Sequence, residues 1–130
     1  MTLVVDASAV AGWLLPDENG PDLAALVATH ADFLAPWLLW AELRNILIVT
    51  ERRGRLPQGL ADQLIEAVEG LGILLDTAPS NAGVLSLARR HGLTVYDALY
   101  LDLAQRRGAM LSTLDAKLAQ AARAEGVSLA

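Results

Sequence analysis

The sequence predicts an α/β protein of three layers, with helices on both faces of a central, mainly parallel sheet of about four to five short strands. Three observations predict it. Short runs of three to five apolar residues recur along the chain, bounded by turn residues and too short for helices. Longer segments of helical period lie between them, so strands and helices alternate. Apolar residues make up 54% of the 130 positions, and the excess is largely Ala and Leu, which favour helix.

Each element has a local reason. Thr2-Leu3-Val4-Val5-Asp6 is a β-branched strand ended by an acid, and Ala7 to Leu15 then turns helical in period. Pro16 to Pro21 is a loop by its turn residues, and Asp22 to His30 is an amphipathic helix carrying Leu23, Leu26 and Val27. Phe33-Leu34-Ala35 predicts a short strand. Pro36 stands where a helix can begin, and an apolar-rich helix over Trp37 to Arg53 ends at Gly54. Pro57 opens the next, through about Leu71, with Leu60, Leu64, Ile65 and Val68 on one stripe. Ile73-Leu74-Leu75 predicts a brief buried strand. Ser80 to His91 and Val95 to Arg107 read as helices, Ala109 to Ser112 as a strand, Asp115 to Glu125 as a last helix and Val127 to Leu129 as a terminal strand. The length suits one domain spanning 1–130, with no internal repeat.

Composition excludes several classes. The absence of Cys removes disulfide frameworks, thiolate zinc sites and cysteine nucleophiles. Asp6 interrupts the first apolar run, and no stretch reaches the ~18 apolar residues of a membrane span, so a cytoplasmic protein is expected. A net charge of −5 argues against a simple electrostatic nucleic-acid binder unless the acids are concentrated at one place.

Four acids sit where a carboxylate is costly. In a parallel sheet, ligands bind beyond the carboxyl ends of the strands, and Asp6 and Asp115 both project toward that edge. Glu42 has Leu38, Leu39, Ile46 and Val49 as helical neighbours, which places it on an apolar face. Asp97 opens its helix with Tyr100, Leu101 and Ala104 on its own side, so it points inward. Singly, Asp6 and Asp115 can be helix caps, Asp97 a helix-dipole partner and Glu42 half of an ion pair. Together they form a cluster that cannot all stay ionised without a cation. With no Cys, and with His30 and His91 read as surface residues near helix ends, the donors are hard oxygens. These select Mg²⁺ or Mn²⁺. Such a metal polarises a phosphodiester oxygen and activates an attacking water, as a nuclease requires.

These residues occur in Val4-Val5-Asp6-Ala7-Ser8-Ala9, Trp40-Ala41-Glu42-Leu43-Arg44-Asn45-Ile46-Leu47, Tyr96-Asp97-Ala98-Leu99-Tyr100-Leu101 and Leu111-Ser112-Thr113-Leu114-Asp115. In this order they resemble the PIN-domain ribonucleases, specifically the VapC-like toxins of toxin–antitoxin pairs, over nearly the whole chain. The resemblance implies a Mg²⁺- or Mn²⁺-dependent endoribonuclease with Asp6, Glu42 and Asp97 as the core metal-binding set, and Asp115 completing it directly or through water. It implies that Ser8 and Thr113 orient a carboxylate or water, for which local bonding to the backbone is the alternative. It places Asn45 at a position suited to supporting hydrogen bonds. It also implies an RNA substrate, a small antitoxin whose C-terminal segment covers the acidic groove, and a homodimer.

The remaining polar and aromatic residues have simpler expectations. Arg52-Arg53, Arg89-Arg90, Arg106-Arg107 and Arg123 fall in last helical turns ahead of a glycine, where the helix dipole accounts for them. Lys117, near Asp115, is the candidate for a phosphate contact or carboxylate partner. Asp102 points about 140° away from Asp97 around the helix and reads as surface or rim. Trp13 and Trp40 are expected in the core, with Trp37 unassigned between core and a groove for a partner helix. Two other readings compete: a phosphatase or phosphotransfer domain with Asp6 as nucleophile, and a non-catalytic module that binds metal or peptide. The first is disfavoured because Asp6-Ala7-Ser8 lacks a second Asp two residues on, and the second because all four acids are present.

Overall fold

Residues 1–29 and 31–130 are described by a computed structural model of the chain; the surface reading of His30 lies outside them. The described residues form β1 (Thr2–Val5), α1 (Ala7–Leu14), α2 (Leu23–Ala28), β2 (Asp32–Pro36), α3 (Leu38–Arg52), α4 (Leu60–Glu69), β3 (Leu74–Asp76), α5 (Asn81–His91), α6 (Val95–Arg107), β4 (Met110–Ser112) and α7 (Ala116–Ala124). Their order is the one read from the sequence. The expected terminal strand is reduced to a single parallel bridge between Leu111 and Leu129.

The sheet runs β3-β2-β1-β4 and every pairing is parallel. Parallel strands need helical crossovers. Those from β1 through β2 to β3 advance in one direction, whereas the crossover to β4 returns past β1. The helices accordingly divide between the two faces: α1 packs with α3 and α4, while α6 lies on β1, β2 and β4 with α5 and α7 against it. Reversal of direction beside β1 opens a crevice between the carboxyl ends of β1 and β4, the place where such sheets bind ligands. Leu3, Val4, Val5, Phe33, Leu34, Leu111, Leu101, Leu103 and Leu118 build the buried core across the layers.

Four expectations are corrected. Leu74 and Leu75 are exposed, because β3 is an edge strand with only β2 beside it. Pro36 ends β2 instead of opening the helix, in keeping with a proline's tolerance at a strand end where no ladder N–H is needed. Trp40 is 57% exposed because the buried stripe of α3 is Leu39, Leu43, Leu47 and Thr50, one position off the expected face. Asp102 is only 3% exposed: α6 is covered on both sides, so an angle away from Asp97 does not lead to solvent. Trp37 is exposed, and Trp13 is half-buried against the core.

Candidate active site

Asp6 ends β1, its backbone N–H bonding to the Ser112 carbonyl of β4, and it is 5% exposed. It caps α1, with Oδ1 accepting the Ala9 N–H at 2.8 Å and the Ser8 hydroxyl at 2.7 Å. Oδ2 accepts the hydroxyl of Thr113, from the loop after β4. That loop is fixed in turn, because Ser8 Oγ accepts the Leu114 N–H at 2.8 Å and Thr113 Oγ1 accepts the Asp115 N–H at 3.0 Å. Asp115 caps α7 through the Leu118 N–H at 2.9 Å. The capping reading of Asp6 and Asp115 is therefore realised, and the same geometry ties the two acids to one edge. Both hydroxyls donate to Asp6 and accept a backbone N–H, which is local for Thr113 and comes from the distant Leu114 for Ser8.

Glu42 and Asp97 reach this edge from the two helical layers. α3 begins directly after β2, and α6 runs back toward the start of β4, so the first turns of both helices rise from the carboxyl ends of the strands. Glu42 lies at the border of the buried face of α3, not at its centre as its neighbours suggested. Its Oε1 accepts the Tyr100 hydroxyl at 2.6 Å. Asp97, in the first turn of α6, donates its backbone N–H to the hydroxyl oxygen of the capping Thr94 at 3.1 Å.

The electrostatics are those of mutually repelling groups. Burial pushes the Asp6 carboxyl above its ordinary value, opposed by hydrogen bonds from Thr113, Ser8 and Ala9 and reinforced by the charge of Asp115. Burial also raises Glu42; the Tyr100 bond opposes this, and the charges of Asp97 and Asp6 add to it. Asp97 is raised by burial and then by Asp115 and Asp6, with Thr94 and the Lys117 ammonium pulling the other way. Asp6 and Asp97 thus each feel the charge of Asp115, and Glu42 feels those of Asp97 and Asp6. Among the described residues no three Asp, Glu or His side chains are gathered closely enough to hold an ion unaided. The donor set nevertheless suits a small hard cation, which binds through one or two carboxylates and keeps several waters. Glu42 Oε2 and Asp115 Oδ2 accept no hydrogen bond among the described residues and are available to one.

The other expected residues are placed less centrally. Lys117 is exposed on α7, close enough to influence Asp97 and without an acidic partner among the described residues. Asn45 is exposed on α3 and makes no hydrogen bond among them. His91 binds Glu125 Oε2 at 2.6 Å, so it is held in an ion-pair cluster instead of standing free on the surface. Arg90 and Arg106 likewise do more than complement helix dipoles: Arg90 pairs with Glu125, and Arg106 with Asp76 and Asp102. Tyr100 was legible only as a neighbour of Asp97. The available signal was a polar-tipped aromatic one turn from an acid within the run Asp97-Ala98-Leu99-Tyr100-Leu101.

The PIN domain family matches residues 3–124, nearly the whole of this parallel-sheet fold, and the chain belongs to it. Within the family the chain is VapC-like. It is 37% identical over 124 residues to Ribonuclease VapC3 of Pyrobaculum aerophilum, the match covering 92% of this chain and 94% of that one. The crystal structure of PAE2754 from Pyrobaculum aerophilum is similar with a TM-score of 0.73 at 28% identity, covering 93% of this chain and 87% of the other. FitAcB from Neisseria gonorrhoeae shares the fold at 19% identity and a TM-score of 0.65, over 98% of this chain and 95% of that one.

Proposed function

We propose that the protein is a Mg²⁺- or Mn²⁺-dependent endoribonuclease, the toxin of a toxin–antitoxin pair, hydrolysing RNA phosphodiester bonds at Asp6, Glu42, Asp97 and Asp115. The observation that carries this reading is the convergence of these acids at the sheet's switch point, where burial first and neighbouring carboxylates second raise Asp6, Glu42 and Asp97. The similarity to Ribonuclease VapC3 supports RNA as the substrate. A bound divalent ion supplies charge for a phosphodiester oxygen and lowers the pKa of an attacking water.

The chain's own residues do the remainder. Asp6, Glu42 and Asp97 would hold the ion, and Asp115 would complete the set directly or through water. Ser8 and Thr113 keep both Asp6 oxygens in place and tie the Asp115 loop to β1. Asn45, one turn after Glu42, is suited to hydrogen bonding around the substrate. Lys117 offers the ammonium nearest the acids for a substrate phosphate.

The bare acidic groove suits a basic antitoxin segment, with charge complementarity assisting encounter. A homodimer is supported by the exposed apolar group Trp37, Leu85, Val95 and Tyr96, which is larger than scattered single residues require. No described helix is long and apolar enough to cross a membrane, in keeping with action in the cytoplasm. The test is cleavage of cellular RNA by the wild type and Asp97→Asn with added Mg²⁺ or Mn²⁺. Cleavage by the wild type alone is expected. Equal activity, or none in either across both metals and a broad RNA panel, contradicts the reading. Metal-dependent stabilisation without turnover would favour a binding module instead.

A further inference from the structure

Tyr100 is the largest fully buried side chain among the described residues, 1% exposed, yet its hydroxyl is not placed by packing alone. A phenylalanine would fill the same space without a polar atom, and a buried hydroxyl is tolerated only with a partner. That partner is Glu42 Oε1 at 2.6 Å, 58 positions away in the sequence and in the opposite helical layer.

The bond has consequences for the geometry of the site. Glu42 has three side-chain torsions to restrain, more than any of the three aspartates. Asp6 is fixed by three donors and Asp115 by the α7 backbone, whereas Tyr100 is the one hydrogen-bond donor to Glu42 among the described residues. The phenol occupies Oε1 and leaves Oε2 without a donor. Tyr100 also follows Asp97 by one helical turn, so α6 carries one acid of the site and orients another across the sheet edge.

We infer that Tyr100 is a positioning residue, whose hydroxyl fixes Glu42 in the orientation from which Oε2 can take up a divalent cation. The inference rests on the proposed metal role of Glu42. Groups that hydrogen-bond to a metal-binding carboxylate set its orientation, and losing one weakens metal affinity by roughly 10–100-fold.

The experiment is calorimetric titration of Mn²⁺ into the wild type, Glu42→Gln, Tyr100→Phe and the double variant, with metal-free thermal melts of each. Tyr100→Phe is expected to weaken Mn²⁺ binding about tenfold. The double variant is expected to bind no more weakly than Glu42→Gln, because both changes act through one carboxylate. In cleavage assays, the Mn²⁺ concentration for half-maximal rate should rise for Tyr100→Phe while the rate at saturating Mn²⁺ is retained; a packing role alone would lower the melting temperature and leave that concentration unmoved. Wild-type-like Mn²⁺ affinity in Tyr100→Phe, with Glu42→Gln impaired, overturns the inference and leaves the proposed function standing. Wild-type-like affinity in Glu42→Gln removes the role of Glu42 and that of Tyr100 with it. If Tyr100→Phe does not fold, Mg²⁺ titration of the wild type followed at the Tyr100 ring carbons by NMR decides. A saturable shift supports the inference, and none at saturating Mg²⁺ overturns it.

Discussion

Two clusters of acids in this protein are built on opposite principles. Where α5, α6 and α7 meet, Glu125 is surrounded by donors: Arg90 bonds to both its oxygens, His91 to Oε2 and Gln105 to Oε1. Arg90 and then His91 hold its carboxyl far below the ordinary value, at about 2. At the sheet edge, Asp6, Glu42 and Asp97 face other acids, and burial and repulsion drive all three upward. An acid that serves the fold arrives with its own cation. Acids that lower stability for want of one are what the proposed function requires, a site whose cation comes from outside.

The largest effect that would break this contrast is on activity. Asp6→Asn keeps the shape of the side chain but removes its charge, and RNA cleavage should fall by more than the roughly 10–100-fold expected for losing a supporting residue. Gel-based cleavage rates check this; retention of rate would reduce Asp6 to a helix cap. Next comes the structural ion pair of Asp102, which joins Arg106 at 2.8 Å and takes the Ser80 N–H at 3.3 Å, binding α6 to the start of α5. Asp102→Ala should cost about 2–3 kcal/mol by denaturant titration, below the value for a fully buried pair because Arg106 is partly open to solvent. Glu125→Gln should cost about 1 kcal/mol, discounted because Arg90 is half-exposed, with cleavage unchanged.

The smallest effects are in pH dependence, and the two clusters should run in opposite directions. Values raised in the folded state mean that Asp6, Glu42 and Asp97 favour folding while protonated. Their contribution is full below about pH 4 and is lost as pH rises through the raised folded values. Asp97→Asn should therefore melt higher than metal-free wild type at neutral pH, and the gap should close on acidification or with Mg²⁺. Glu125, lowered from 4.5 to about 2, contributes stability above its ordinary value that is lost as pH falls toward about 2. Melting curves of both variants from pH 3 to pH 8 distinguish the two patterns; parallel curves would erase the contrast.

Most of the fold was readable because short apolar strands and helical periods are local signals. The acids at strand ends were readable for the same reason: Asp6 follows β1 directly, Asp115 comes three residues after β4, and the adjacency of the two strands brings them together. What escaped was set by tertiary surroundings. The depth of α6 hides Asp102, whatever its angle from Asp97, because the sheet covers one side of the helix and α5 and α7 the other. Trp40 lies one position from the buried Leu39, and a 100° step is enough to expose a large aromatic, over which Arg44 then stacks at 3.9 Å. The edge position of β3 is a property of strand order, which Ile73-Leu74-Leu75 does not encode. The Tyr100–Glu42 bond joins residues whose proximity exists only once α3 and α6 start from the same sheet edge.

The central claim is that the net charge of −5 conceals a site whose attraction for RNA is conditional on metal. Binding of a single-stranded RNA by the wild type, followed by fluorescence anisotropy with and without Mg²⁺ or Mn²⁺ under conditions that block turnover, tests it most directly. Weak engagement in chelator and tight engagement with the divalent ion are predicted; tight binding that is indifferent to metal would contradict the account.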